Sequence, residues 1–91
     1  MMPSLALELA PRKIRVNAVS PGPIDIPIWA KNALPPETRA EIAQAVTARV
    51  PLRRFGTAEE VAELVAFLAS PAAVYITGEN ITIAGGSGLP A

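Results

Sequence analysis

Cysteine and histidine are both absent from the 91 residues. Without cysteine no disulfide can brace a small core, and with both missing a structural zinc or blue-copper site has no ordinary ligands. Aromatic residues are scarce, with two Phe, one Tyr and one Trp. Charge of neither sign dominates, because eight Lys and Arg balance eight Asp and Glu. The basic residues gather only as Arg12-Lys13-Arg15 and Arg53-Arg54. That is short of the focused basic footprint that phosphate backbones require, so no nucleic-acid partner is expected. No apolar run reaches the roughly 18 residues of a membrane span. Met1-Met2-Pro3-Ser4 lacks the basic start of a secretory signal, and the expectation is a cytoplasmic protein.

Hydrophobic residues make up 51% of the chain and charged ones 18%, which suits one globular domain over residues 1–91. A domain this small hides only about 60% of its unfolded surface, so association with another chain is a natural remedy.

Residues 5–10, Leu-Ala-Leu-Glu-Leu-Ala, are strong helix formers and stop at Pro11. Ile14, Val16 and Val19 among Arg15 and Asn17 predict a strand over residues 14–19. Pro21, Pro23 and Pro27 disfavour helix and ladder alike, so residues 20–34 are expected to be a stiff loop carrying Ile24, Ile26, Ile28 and Trp29. Pro35-Pro36-Glu37 suits the first turn of a helix whose apolar stripe is Ile42, Val46 and Val50.

Thr57-Ala58-Glu59-Glu60 is a capping box. Val61, Leu64, Val65 and Leu68 follow it at the spacing of a buried helical face, and Ser70-Pro71 closes that helix. Glu59, Glu60 and Glu63 occupy its first turns, where acids cap and solvate, so they predict no metal site. A turn at Thr77-Gly78 leads into an alternating strand over residues 79–84, and Gly85-Gly86-Ser87-Gly88 is expected to leave it as a flexible tail. A strand, a long connection with helices, and a second strand predict an α/β fold built on a parallel βαβ unit.

The stretches "LALELAPRKIRVNAVSPGPIDIP", "PLRRFGTAEEVAELVAFLAS" and "YITGENITIAGG" together resemble the C-terminal third of a short-chain dehydrogenase/reductase. The resemblance covers nearly the whole chain. It implies a partial Rossmann-like unit, with an N-terminal helix, a parallel βαβ and two helices in its crossover, completed by oligomerisation. It also implies that Pro21, Gly22 and Ile24 lie on the nicotinamide side of bound NAD or NADP. Two positions depart from the family pattern: Ile26 stands where a threonine commonly contacts the cofactor, and Ala84 where an aspartate often precedes the paired glycines.

The family's glycine-rich phosphate turn and Tyr-x-x-x-Lys pair have no counterpart within these residues. The single tyrosine, Tyr75, is followed four positions later by Glu79. The expectation is therefore a truncated, dehydrogenase-like chain that holds no cofactor and transfers no hydride by itself. Its expected partner is a second copy, in a homo-oligomer, or a full-length dehydrogenase subunit. The alternatives are a small promiscuous serine-type esterase without histidine, with Ser20 as nucleophile and Lys13, Asp25 or Tyr75 as candidate base, or a non-enzymatic oligomerisation or interaction module. Ser87 lies in an incomplete Gly-x-Ser-x-Gly pattern. Trp29 reads as an interface plug in preference to a stacking platform.

Overall fold

Two parallel strands drawn from opposite ends of the sequence organise the computed structural model, which describes residues 2–25 and 35–90. β1 (Ala18–Pro21) pairs with β4 (Asn80–Ile83) in the register Ala18↔Asn80, Val19↔Ile81, Ser20↔Thr82 and Pro21↔Ile83. A second, two-residue parallel pair joins β2 (Ile24–Asp25) to β3 (Gly56–Thr57). Among the described residues three α-helices complete the order: α1 (Met2–Leu9), α2 (Pro36–Ala48) and α3 (Ala58–Ala69). The α/β class and the parallel βαβ with two helices in its crossover are as the sequence predicts. The β2–β3 pair is not.

The first strand starts later and runs further than the hydrophobic pattern suggests. Residues 14–17 make no ladder, because side chains take the backbone's partners there. The Val16 N–H donates to Thr77 Oγ1 at 3.1 Å, while the Val16 carbonyl accepts from the Gly78 N–H at 2.8 Å. Asn17 spans the same loop: its Nδ2 donates to the Ile76 carbonyl at 3.0 Å and its Oδ1 accepts the Glu79 N–H at 3.0 Å. Arg15 Nη1 adds a bond to the Ile76 carbonyl at 3.2 Å.

Proline does not end the strand at Ser20, for a geometric reason. Ala18 donates to the Glu79 carbonyl at 2.8 Å and Gly22 to the Ile83 carbonyl at 2.9 Å, so even-numbered residues turn their N–H groups to β4. Pro21 belongs to the alternate set, facing the edge away from β4, which bonds no other strand among the described residues. Its missing N–H therefore costs this ladder nothing. The expected loop over residues 20–34 is thus corrected at Ser20, Pro21, Ile24 and Asp25, which are in strands. Ile26, Ile28 and Trp29 fall outside the described residues.

Period-2 alternation gives the sheet two unlike faces. Asn80 and Thr82 are exposed and share a face with Ala18 and Ser20, whereas Ile81 and Ile83 are half-buried beside Val19. Val19, Arg15 and Asn17 line a groove with Val65, Leu68 and Ala69 of α3, so α3 covers the apolar face. Of the stripe expected on this helix only Leu68 is buried. Val61 and Leu64 are half-buried, and Val65 remains exposed.

α1 passes into a 3-10 turn, Ala10–Arg12, so Pro11 tightens the end of the helix without cutting it at Ala10. Lys13 then adopts a left-handed conformation with φ 62°, donating to the Ala10 carbonyl, and Ile14 donates back to Leu9. This is a Schellman closure with lysine where glycine is usual. α2 begins with Pro36 after Pro35 and ends at Ala48. Val50, expected on the stripe of α2, lies beyond the helix and is buried beneath the Gly85 turn.

That turn corrects the expectation of a flexible tail. Leu52 donates to the Gly85 carbonyl at 3.0 Å, and Ser87 and Leu89 donate to Ala84 and Gly86. Gly85 has φ 61°, and a Cβ there would sit 2.8 Å from Val50 Cγ1, so both conformation and contact call for glycine.

Among the described residues Ala6, Val50, Leu68 and Ala73 are buried, while Leu7 is 77% and Tyr75 100% exposed. Burying one Val or Leu contributes about 1.5–3 kcal/mol, so with two such side chains hydrogen-bonded loops carry an unusual share of the fold. Replacing Asn17 by Ala removes two bonds and leaves the Glu79 N–H without its acceptor. The expected loss is about 1–3 kcal/mol, read as a lower urea midpoint with unchanged slope. An unchanged midpoint would contradict this bridging role of Asn17.

Candidate functional site

Chemistry-bearing groups converge just beyond the carboxyl ends of β1 and β4, where parallel sheets place their ligands. Gly22 makes the crossing of chains possible. A Cβ on it would lie 2.5 Å from Ala84 Cβ and 2.9 Å from Ala84 Cα, closer than any side chain tolerates. Its N–H, bonded to Ile83, fixes Pro21-Gly22 as a rigid step on top of the sheet.

A cleft of about 120 Å³ opens beside this step, lined by Pro23, Ile24, Leu52, Arg54, Gly56, Glu60, Ile83, Ala84 and Gly85. Ligand pockets usually offer about 300–1,000 Å³. The walls that the described residues supply are therefore too small to enclose a dinucleotide. Glycine again sets the spacing, since a Cβ on Gly56 would come within 2.9 Å of Ile24 Cδ1.

The charged members of the cleft form one unit. Arg54 grips Glu60 in two parallel bonds, Nη1 to Oε1 at 2.9 Å and Nη2 to Oε2 at 2.8 Å. Glu60 Oε1 also accepts the Thr57 N–H at 2.9 Å, and Thr57 Oγ1 accepts the Glu60 N–H at 3.1 Å, completing the capping box. The Arg54 guanidinium, and after it the Thr57 N–H, hold the Glu60 carboxyl at about 2, below its ordinary 4.5. The same bond to Glu60 pushes the Arg54 pKa up. The sequence showed the capping box, but Arg54 escaped notice because a six-residue separation across a turn matches no helical or strand period.

Pro21, Gly22 and Ile24, the positions implied to face a nicotinamide, are brought together at this strand end. Ser20 is half-buried, and its Oγ donates to Asn80 Oδ1 at 2.8 Å on the polar sheet face. An amide oxygen accepts a hydrogen bond without taking up a proton at neutral pH, so this partner does not activate the hydroxyl. The candidate bases are dispersed. Lys13 and Tyr75 share a surface groove with Ile14, Val74 and Thr77 that does not include Ser20, and Asp25 is held in β2 opposite Thr57. Ser87 lies in the glycine turn, with its N–H bonded to Ala84, and no helix follows it among the described residues. No described helix is long and apolar enough to cross a membrane.

Comparison with known proteins places these observations. The family model described as enoyl-(acyl carrier protein) reductase matches residues 1–88. The 3-oxoacyl-(acyl-carrier-protein) reductase FabG of Thermotoga maritima is 48% identical over 86 residues, covering 94% of this chain and 32% of that protein. The 3beta-hydroxysteroid dehydrogenase 1 of Eggerthella lenta is 43% identical, covering 94% and 31%. The chain spans about a third of the length of the curated relatives it matches. Among solved structures, a short chain dehydrogenase from Bacillus anthracis superposes with a TM-score of 0.78 at 38% identity, over 99% of this chain and 33% of that one. YwfH, an NADPH-dependent reductase involved in bacilysin biosynthesis, gives 0.82 at 34% identity, over 99% and 36%.

Two outcomes follow from this geometry. Gly22→Ala must push Ala84 and the end of β4 aside, and the expected cost is about 1–3 kcal/mol in urea unfolding; equal midpoints for the two chains would refute the close crossing. Because folding lowers the Glu60 pKa from 4.5 to about 2, the native chain holds fewer protons than the unfolded one between those values. The contribution of Glu60 is whole above its unfolded pKa and drains away as pH falls towards 2. The midpoint gap between wild type and Glu60→Gln is therefore expected to be largest at neutral pH and to shrink through that acid range. A gap independent of pH would contradict the charged clamp.

Proposed function

The chain belongs to the enoyl-(acyl carrier protein) reductase family of short-chain dehydrogenases/reductases, and on that footing we propose that it provides the nicotinamide-side floor of a reductase site. It supplies the strand end and turn against which NAD or NADP lies, and depends on other polypeptide for the rest. The observation that carries this reading is the Pro21-Gly22 step, locked between Ile83 and Ala84 at the carboxyl end of a parallel pair and flanked by Ile24.

The roles divide by chemistry. Gly22 lets the turn pass close against Ala84 and so fixes the step, while Pro21 and Ile24 offer a flat ring backbone polar groups and an apolar surface. When bound, the cofactor supplies the hydride. Proton transfer to the reduced carbonyl needs a positioned acid, and these 91 residues contain no Tyr-x-x-x-Lys to provide it. The chain by itself is accordingly expected to hold no cofactor and to transfer no hydride. Its working partner is a dehydrogenase subunit that carries those groups, in the cytoplasm; a second copy of the chain lacks them as well, so pairing with itself does not complete the site.

A chimera tests this reading. Residues 1–91 replace the matching third of the T. maritima reductase, and NADPH oxidation with a 3-oxoacyl substrate is followed beside the isolated chain. The expected result is reduction by the chimera and none by the chain. A folded chimera that binds no NADPH would overturn the proposal, as would turnover by the chain alone.

A further inference from the structure

We propose that Arg53 is a positioning residue: its guanidinium fixes the direction in which α2 leaves the wall of the cleft, and the backbone accepts strain to keep it there. Among the described residues two that are not glycine have positive φ, Lys13 at 62° and Arg53 at 61°. That region crowds a Cβ against the following carbonyl, so glycine or asparagine suits it better than arginine. Lys13 closes the end of α1. At Arg53 the side chain supplies a different reason.

Arg53 ends a tight turn. Its N–H donates to the Val50 carbonyl at 2.8 Å, with Pro51 and Leu52 between them, a β-turn with proline at its favoured second position. From there the side chain runs back over the turn, and Nη1 donates to the Ala48 carbonyl at 2.9 Å. Ala48 is the last residue of α2. Carbonyls at that end have no helical partner, and the helix dipole favours a cation beside them.

The turn itself is bolted to the sheet. The Leu52 N–H donates to the Gly85 carbonyl at 3.0 Å, Val50 is 2% exposed, and a Cβ on Gly86 would lie 2.8 Å from Pro51 Cγ. Leu52 also lines the cleft. α2 by contrast has no buried residue, so packing gives its direction little definition. The main-chain bond across the junction, Val50 N–H to the Thr47 carbonyl at 3.1 Å, is one point of attachment, about which a helix can still pivot. The Arg53 guanidinium adds a second point from the far side of the turn, and two points set a direction. Its bond to Ala48 is exposed, so losing it changes the bearing of α2 more than the stability of the chain. This elbow goes beyond the cofactor floor proposed above.

The test compares N–H residual dipolar couplings of α2 with those of β1 and β4 in the isotope-labelled 91-residue chain. The wild type is expected to fit one rigid frame. Arg53→Gly and Arg53→Asn both keep the left-handed turn with less strain, and both lose the guanidinium. In each, the couplings of α2 are expected to shrink to roughly half while those of the strands hold, with the urea midpoint level or raised. Arg53→Lys can offer Ala48 a single donor and is expected to recover part of the couplings. Lys13→Gly relieves the same strain elsewhere and is expected to leave α2 unmoved. Couplings of α2 that are unchanged in both Arg53→Gly and Arg53→Asn, or already averaged in the wild type, would overturn the proposal. So would a lowered midpoint with strands and helix losing order together, since that marks Arg53 as a stabiliser of the whole. None of these outcomes bears on whether the chimera binds NADPH, so the two readings fail separately.

Discussion

The parallel pairing of β1 with β4 is the constraint on which the rest of this structure depends. It brings together segments about 60 residues apart, so a large loop must close before the ladder contributes anything. The structure meets that cost with side chains at the entry to the strands. Asn17, Thr77 and Arg15 bond the 76–79 loop to the chain ahead of β1 and leave one register available. At the far end the Gly22 bond to Ile83 and its contact with Ala84 close the pair. Between these two fastenings the strands need only four residues each.

The same arrangement explains why a rigid step can stand on so small a core. Rigidity at Pro21-Gly22 comes from proline, from a glycine with no room for a Cβ, and from backbone bonds, all local to the strand ends. The described core is thin by comparison, and many large apolar residues are left outside it. Leu5, Leu7, Ile14, Val74 and Tyr75 are exposed around α1 and the loop before β4, and β1 bonds only β4 among the described residues. In relatives about three times as long, the matched third is one part of a larger chain.

Much of this was legible in the sequence, and the misses share a cause. The α3 helix announced itself through Thr57 and Glu60 because helix caps are encoded by contiguous residues. The family and its α/β class were legible because motifs in order survive without any knowledge of contacts. What could not be read was long-range. Asn17 looked like a polar strand position, yet its partners Ile76 and Glu79 lie some 60 residues on. Pro21 looked like a ladder breaker because nothing local reveals which edge its missing N–H faces. Gly85 to Gly88 read as a tail because composition does not show that Leu52 will bond to it. Ser20, attractive as a nucleophile at a strand end, turned out to face Asn80 on the polar side of the sheet.

The fold stands on the β1–β4 register, and interstrand NOEs in the isotope-labelled chain measure it most directly. The expected pattern is backbone contact between Val19 and Ile81, and between Gly22 and the Ile83-Ala84 pair, in a parallel sense. Contacts shifted by even one residue, or none in a chain that otherwise shows the α3 helix, would contradict it, because a single step turns every side chain of β1 to the opposite face and moves Gly22 away from Ala84.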